Sequence, residues 1–297
     1  MIHVGTCSWT EKTLLESKEF YPRGTSTAEA RLKYYADNFN VVEADSPYYS
    51  IPDISTTERW ADRTPENFIF SAKAYGALTG HGIDPKSLPV DLAAYLPKPE
   101  REKTHIYIKE PDMLKIIAQR FRDALKPLMQ TGKLGVVVFQ FPPWFLYKKT
   151  NLDYILKCQA LMEGLPIAVE FRHGSWLTPK ARVSVMTFLR EYRFIYVTAD
   201  EPQYGSLATI PFVPDVTGSI AYFRFHGRNK DTWLKKGIET SLRFDYQYSD
   251  AELRAFVPAI KEADMRATET HVMFNNCHGA KAVRNAKAMQ GMIQRAL

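Results

Sequence analysis

The segment AYFRFHGRN, residues 221–229, combines a strand-like pattern with side chains that can carry out chemistry. Its aromatic residues suit a pleated sheet, and two-residue alternation places Arg224 and His226 on one face of the strand. Phe223 and Phe225 fall on the other face. Arginine can hold an anion through two parallel hydrogen bonds, and histidine can exchange protons near neutral pH. The segment therefore predicts a strand with one functional face.

Most of the other predicted strands also end in charged or polar side chains. In a parallel sheet or barrel the carboxyl ends of the strands meet on one side, where catalytic groups usually lie. A protein selected only for stability would place apolar residues at such positions, so we interpret the set as a site. His3 and His271 begin strands and are expected at the opposite, structural end. The residues at the strand ends are Glu43, Asp45, Lys73, Gln140, Glu170, Arg172, His173, Asp200, Arg224, His226, Arg228, Asn275 and Asn276.

Strand-like and helical patterns alternate along the whole chain, which predicts a parallel sheet. Eight strands of similar composition favour an α/β fold of the single-domain (β/α)8 TIM-barrel type over residues 1–297. An open doubly wound sheet is the alternative, although no GxGxxG motif follows the first strand. The predicted strands cover residues 3–8, 40–45, 67–74, 134–141, 166–173, 193–200, 220–227 and 270–276.

Two connections, after the third and sixth strands, are unusually long. They run from about residue 75 to 111 and from 201 to 219. Long irregular connections in a compact domain are usually lids or mobile loops. His81 lies in the first of them, and its role is left open. Trp233 is interpreted as either a stacking surface for a ligand or a cover for the core.

The composition limits the classes of protein that the chain can represent. Its formal net charge is +6, which gives a mild preference for anionic partners. Three scattered cysteines without a CxxC pair argue against a disulfide framework and a structural zinc site. No apolar run is long enough to cross a bilayer, and the N-terminus lacks a secretory pattern, so we expect a cytoplasmic protein without a membrane partner. The oligomeric state is open.

Seven ordered motifs resemble the YecE-like family, a large family of TIM barrels designated a domain of unknown function. The resemblance covers nearly the whole chain. The motifs are GTCSW (5–9), VEADSPYY (42–49), FSAKAYGALTGH (70–81), FQFPP (139–143), VEFRHGSW (169–176), YFRFHGR (222–228) and MFNNCHGAKAVRNA (273–286).

This resemblance implies a barrel similar to sugar isomerases and to a DNA-repair endonuclease family, with a basic mouth for a phosphorylated or nucleic-acid ligand. The sequence departs from the common family pattern at Asp45, where asparagine is frequent, and at Gly80, which is inserted before His81. The site residues carried over from the resemblance are Glu43, Lys73, Gln140, Glu170, Arg172, Arg224, His226, Arg228 and Asn276.

The favoured function is a metal-independent hydrolase or lyase that acts on a phosphate-bearing sugar or on nucleic acid. Glu43 or Glu170 would be the general base and His226 a general acid. Substrate would be bound by the remaining carried-over residues: Lys73, Gln140, Arg172, Arg224, Arg228 and Asn276. We predict no tightly bound cofactor.

Two alternatives stay open. One is a metal-dependent sugar isomerase or hydrolase, because a divalent metal could use carboxylate and histidine ligands; the cations nearby count against it. The other is a non-catalytic nucleic-acid-binding protein, in which aromatic side chains would stack on bases. The residues with suitable ligand atoms for a metal are Glu43, Asp45, Glu170, His173 and Asp200.

Overall fold

Eight parallel strands form a closed barrel in chain order in the computed structural model, which describes residues 1–295. The first strand pairs with both the second and the last, so the sheet has no free edge. This confirms the predicted (β/α)8 fold and excludes the open doubly wound sheet. The strands are β1 (Ile2–Cys7), β2 (Val41–Ala44), β3 (Ile69–Lys73), β4 (Leu134–Gln140), β5 (Ile167–Glu170), β6 (Ile195–Asp200), β7 (Ile220–Phe225) and β8 (Glu269–Phe274).

Helices of very different length surround the barrel. The longer ones bury an apolar face against the strands, as Leu253, Phe256 and Ile260 of one helix illustrate. The helices are α1 (Lys12–Ser17), α2 (Ala28–Ala36), α3 (Ser46–Tyr49), α4 (Ile54–Asp62), α5 (Val90–Ala93), α6 (Lys98–Arg101), α7 (Pro111–Gln130), α8 (Lys149–Met162), α9 (Pro179–Glu191), α10 (Lys230–Trp233), α11 (Asp250–Asp264) and α12 (Lys281–Arg295). Four 3₁₀ turns cover Gly76–Thr79, Pro85–Ser87, Gly174–Leu177 and Thr240–Phe244.

Alternation along each strand divides the core into an inner cluster and an outer layer. The outer layer packs against the helices, and small or aliphatic residues dominate the inner cluster. Continuing the alternation by one step brings the next inward side chain to the carboxyl end of the barrel. This is how the strands place Glu43, Gln140, Glu170 and Arg224 there. The buried inner cluster consists of Cys7, Val41, Val136, Val138, Ala168, Ile195, Val197, Tyr222 and Met273.

Three long segments follow strands on the carboxyl side of the barrel. The segments after β3 and β6 were predicted; the first contains two 3₁₀ turns, two short helices and an antiparallel bridge between Ile83 and Ile106. The third, residues 226–249 between β7 and α11, was not predicted as a long connection. It contains α10 and a 3₁₀ turn. Within the described chain, no helix has the length and apolar character needed to span a bilayer.

Gly5 allows β1 and β2 to approach closely. A Cβ atom at this position would lie 2.1 Å from the carbonyl oxygen of Val41, which is backbone and cannot rotate away. We therefore expect Gly5→Ala to lower the free energy of unfolding by about 3 kcal/mol or more, measured by urea denaturation. Gly291→Ala is the matched control, because its Cβ meets only the flexible end of Arg295 at 3.5 Å or beyond. This helical control should keep or slightly raise stability, and equal stability of the two variants would contradict the close approach.

Candidate active site at the carboxyl end of the barrel

Arg224 lies at the centre of an ionic network inside the barrel. Its side chain is fully buried, and its guanidinium contacts side chains from four other strands, including Cys7 of β1 at 3.6 Å. Nη2 donates to Glu43 at 2.6 Å, and Nη1 donates to Glu170 and, at 3.1 Å, to Gln140. Asp45 is farther away, 3.9 Å from Nη2. One buried cation therefore holds two buried carboxyl groups in fixed positions.

Glu43 is a buried carboxyl group whose surroundings shift its pKa toward neutrality. One of its oxygens accepts from Arg224, and the other accepts from the hydroxyl of Tyr222 at 2.8 Å. Burial raises the pKa of Glu43 to about 7, although Arg224 and the Tyr222 hydrogen bond oppose that rise. Glu43 is thus poised to gain or release a proton near neutral pH.

Glu170 has the opposite electrostatic character. Burial alone would raise its pKa, but Arg224, His226 and Arg172 together outweigh burial and hold the pKa well below its usual range. Arg172 Nη1 donates to the carboxylate at 2.8 Å. Glu170 is therefore a permanent anion at neutral pH.

His226 is a neutral imidazole in this network. Its Nε2 lies 2.9 Å from Glu170 and 3.1 Å from Arg172 Nη1; since Nδ1 accepts from an amide, Nε2 carries the proton and donates to Glu170. Its Nδ1 lies 2.8 Å from the amide nitrogen of Asn275 and accepts from it. Burial lowers the pKa of His226 to about 3. That value argues against the expected role of His226 as a general acid near neutral pH.

Arg172 and Trp233 form a cover over this network. The Arg172 guanidinium stacks 5.0 Å from the Trp233 ring, and its Nε lies 3.1 Å from Glu201, the residue after β6. Burial also raises the pKa of Glu201 to about 7, against the opposing effect of Arg172. Trp233 and Phe244 both face the imidazole of His226. The third long segment thus closes the site, and Trp233 acts as a cover.

Among the cations predicted for the site, Lys73 has no acidic partner in the described part of the chain. Within residues 1–295, no carboxylate oxygen lies within 4.0 Å of its ammonium group, which sits 4.5 Å from the centre of the Tyr48 ring. Tyr48 in turn contacts His81, whose pKa burial lowers to about 4, with contributions from Lys73 and Arg172. His81 also contacts the exposed Trp144.

A cavity of about 410 Å³ adjoins this corner of the mouth. His81, Trp144 and Tyr107 line it together with Lys109 and Lys157. This corner of the mouth therefore combines aromatic rings with ammonium groups.

Arg228 and Asn276 lie away from the network around Arg224. Gly227 has a φ of 89°, which breaks the strand alternation, so Arg228 turns toward the helical layer and pairs with Asp200 and Glu252. A Cβ atom on Gly227 would approach Tyr246 to 2.7 Å. All three guanidinium nitrogens of Arg228 are thus engaged by acidic side chains.

Asn276 is also on the outer side of its strand. Its amide donates to the carbonyl of Tyr246 and to Asn285 Oδ1. Asn285 in turn accepts from the backbone N–H of Tyr248 and donates to the carbonyl of the same residue. The two asparagines anchor the segment after β7 to α12. The residue before Asn276, Asn275, is the one that reaches the site.

The residues proposed as metal ligands do not form a cluster. His173 accepts from the backbone of Ser175 and caps a 3₁₀ turn, and Asp200 binds Arg228 and Tyr248. In the part of the chain that the structure describes, one set of at least three potential ligand residues has its donor atoms within 4.8 Å of one another. That set is His3, Glu269 and His271, at the other end of the barrel.

Sequence reasoning missed four residues that contact the network. Cys7 and Tyr222 share the inward face of their strands, and strand alternation from Arg224 identifies Tyr222 directly. Glu201 follows a strand, and Phe244 lies in a connection whose length was overlooked. For Phe244 the sequence contains no local signal, because its position depends on how residues 226–249 fold over the mouth.

The fold and the site define a (β/α)8-barrel protein with a charge-compensated, buried network at the carboxyl ends of its strands. The chain belongs to the family described as protein of unknown function DUF72, whose model matches residues 3–297. This confirms the expectation of a TIM-barrel family of unknown function.

Relatives of the chain share nearly its full length. It is 31% identical to the UPF0759 protein YunF of Bacillus subtilis, over 97% of this chain and 93% of that protein. A DUF72 protein of Enterococcus faecalis, EF0366, is 30% identical with a TM-score of 0.80, over 99% and 96% of the two chains. A DUF72 protein of Thermotoga maritima, TM1631, is 29% identical with a TM-score of 0.78, over 99% of each.

The raised pKa of Glu43 predicts a pH dependence of stability. Between its usual value of 4.5 and about 7, the folded protein keeps a proton that the unfolded chain releases. The free energy of unfolding must therefore fall as pH rises through this window, by up to about 3 kcal/mol from Glu43 alone. Glu43→Gln, which resembles the protonated form, should equal wild type near pH 5 and exceed it at pH 8, in urea denaturation.

Glu201 titrates in the same pH window. The effect of Glu43 is therefore read from the difference in the free energy of unfolding between wild type and E43Q at each pH. Glu58→Gln, at an exposed position on α4, is the matched control and should follow the wild-type curve. Parallel curves for wild type and E43Q would show that Glu43 is ionised throughout.

Proposed function

We propose that this YecE-like barrel is an acid–base enzyme, a hydrolase or lyase that needs no metal and acts on a phosphate-bearing sugar or nucleotide. Glu43 transfers the proton. Glu170 remains ionised and, with Arg224, fixes the electrostatic environment in which Glu43 works. The substrate sits at the mouth between Lys73 and the aromatic side chains of the loops.

The proposal rests on one observation: the environments of Glu43 and Glu170 shift the pKa values of these two carboxyl groups in opposite directions. Arg224 touches both Glu43 and Glu170, yet the pKa of one is raised to about 7 and the pKa of the other is held low. Pairs of titratable groups driven apart in this way are typical of acid–base sites. A purely structural ion pair needs no group that titrates near neutral pH.

The anion contact is assigned to Lys73, because the arginines first considered for it are already neutralised. Arg224 contacts two carboxyl groups, and Arg228 contacts Asp200 and Glu252. Lys73 has an aromatic contact and an exposed side, and Tyr48 and Trp144 offer ring faces nearby. This set suits a phosphate attached to a sugar or base.

Access to Glu43 requires the cover to open. Glu43, Glu170 and His226 are all fully buried, and the stacked pair of Arg172 and Trp233 lies above them. A cover in the loops after β5 and β7 can admit substrate and then exclude water during reaction.

The test is turnover of a panel of sugar phosphates, nucleoside monophosphates and short oligonucleotides in the presence of EDTA, followed by mass spectrometry. We expect conversion of at least one class. E43Q should lower kcat/KM by at least about 100-fold and abolish the change of kcat/KM with pH near 7. Lys73→Ala should raise KM about tenfold with a smaller effect on kcat, and Lys73→Arg should restore part of the binding.

Lys180→Ala, at an exposed position on α9, is the control for the loss of a positive charge and should be indistinguishable from wild type. Conversion that survives E43Q would overturn the role of Glu43. Salt-sensitive binding of oligonucleotides without conversion would instead favour the non-catalytic binder, and activity that disappears with EDTA and returns with a divalent metal would favour the metal-dependent alternative.

A further inference from the structure

The opposite end of the barrel holds a second cluster of chemically capable side chains, which the mouth chemistry does not use. His3 lies on β1, and Glu269 and His271 lie on β8, at the amino-terminal end of the strands. Both histidines are buried, and they are direct partners across the seam where the first and last strands close the barrel. We call this group the floor cluster.

We propose that the floor cluster binds a divalent transition-metal ion of the Zn²⁺, Co²⁺ or Ni²⁺ type. One ligand atom from each of the three residues lies within 4.8 Å of the others. Bonds from such a metal to nitrogen and oxygen are about 2.0–2.2 Å, so ligands on one ion stand up to about 4 Å apart. Ligand atoms at the 4.8 Å limit must approach each other by about 1 Å to hold one ion.

The side chains that surround the histidines suit ligation. His3 Nδ1 lies 2.8 Å from the side-chain amide nitrogen of Asn40. A half-turn of the Asn40 amide would direct its oxygen to Nδ1, which would then carry the proton and leave the lone pair of Nε2 for a metal.

His271 is incompletely paired without a further ligand. Its Nε2 lies 3.2 Å from Glu269, and its buried Nδ1 has no partner among the residues described. Buried polar groups that serve only structure are normally satisfied. Two imidazoles and one carboxylate form a ligand set that zinc and related ions use, with further positions left for water.

An ion can reach the floor cluster from solvent. A cavity of about 480 Å³ opens at this end and is lined by His3 and Glu269. The Glu269 side chain is 40% exposed, whereas the side chain of His271 is fully buried behind it. Because the ligands come from β1 and β8, a bound metal would clamp the closing seam and stabilise the whole barrel.

The test is calorimetric titration of the full-length, EDTA-treated protein with Co²⁺ and Zn²⁺, together with thermal denaturation. We expect saturable binding of one ion per chain and a Tm that rises with metal concentration. His3→Gln and Glu269→Gln should weaken binding by at least about 100-fold, and Asn40→Ala by about tenfold. His105→Gln, at an exposed position in the loop after β3, should bind as wild type does.

If His3→Gln fails to fold, E269Q alone tests the proposal, because the Glu269 side chain is partly exposed and its replacement is tolerated in solvent. Absence of saturable Co²⁺ binding, or binding that is equal in wild type and E269Q, would overturn the proposal. E43Q should bind metal normally, so the floor cluster and the mouth are tested independently.

Discussion

The burial of one arginine inside the barrel is the constraint on which the site depends. A guanidinium removed from water needs hydrogen-bonding anions on several sides. Glu43 and Glu170 meet this need from opposite parts of the barrel wall, and Gln140 adds a neutral acceptor. The two carboxyl groups are thereby held in fixed positions, but they are not equivalent. Glu170 has a second cationic neighbour, Arg172, and the imidazole of His226, whereas Glu43 has the carboxylate of Asp45 nearby, so the same arginine leaves one of them ionised and the other titratable near neutral pH.

Strand alternation explains most of what could be predicted. The closed barrel followed from eight strand-like runs separated by helical ones, and the inward position of Glu43, Gln140, Glu170 and Arg224 follows from the same period. Alternation failed where the strand had already ended. β7 stops at Phe225, and the left-handed conformation of Gly227 turns Arg228 outward, which the sequence signals only by a glycine.

On β8, alternation alone could not tell which asparagine faces the barrel. Both faces of this strand carry apolar and polar residues, so the pattern has no obvious inner side. The structure places Met273 and Asn275 inside and Phe274 and Asn276 outside. The position of Trp233 was even harder to predict from the sequence, because it depends on a tertiary contact with Arg172, 61 residues earlier in the chain. The local sequence shows the two-residue period of a strand, but which side chains meet across the mouth depends on the folded structure.

The network is costly if it serves only stability. Replacing a buried ionic cluster by apolar residues of similar volume is often neutral or stabilising by about 1–4 kcal/mol, and the remainder of the inner cluster shows that aliphatic side chains fit this barrel. A structural account would also favour ionised, strongly paired carboxyl groups. Glu43 and Glu201 instead have pKa values raised to about 7, so each weakens the fold as the pH approaches neutrality. The fold thus loses stability near neutral pH at the end of the barrel where the loops form a cover, which is consistent with the proton transfer that we propose for Glu43.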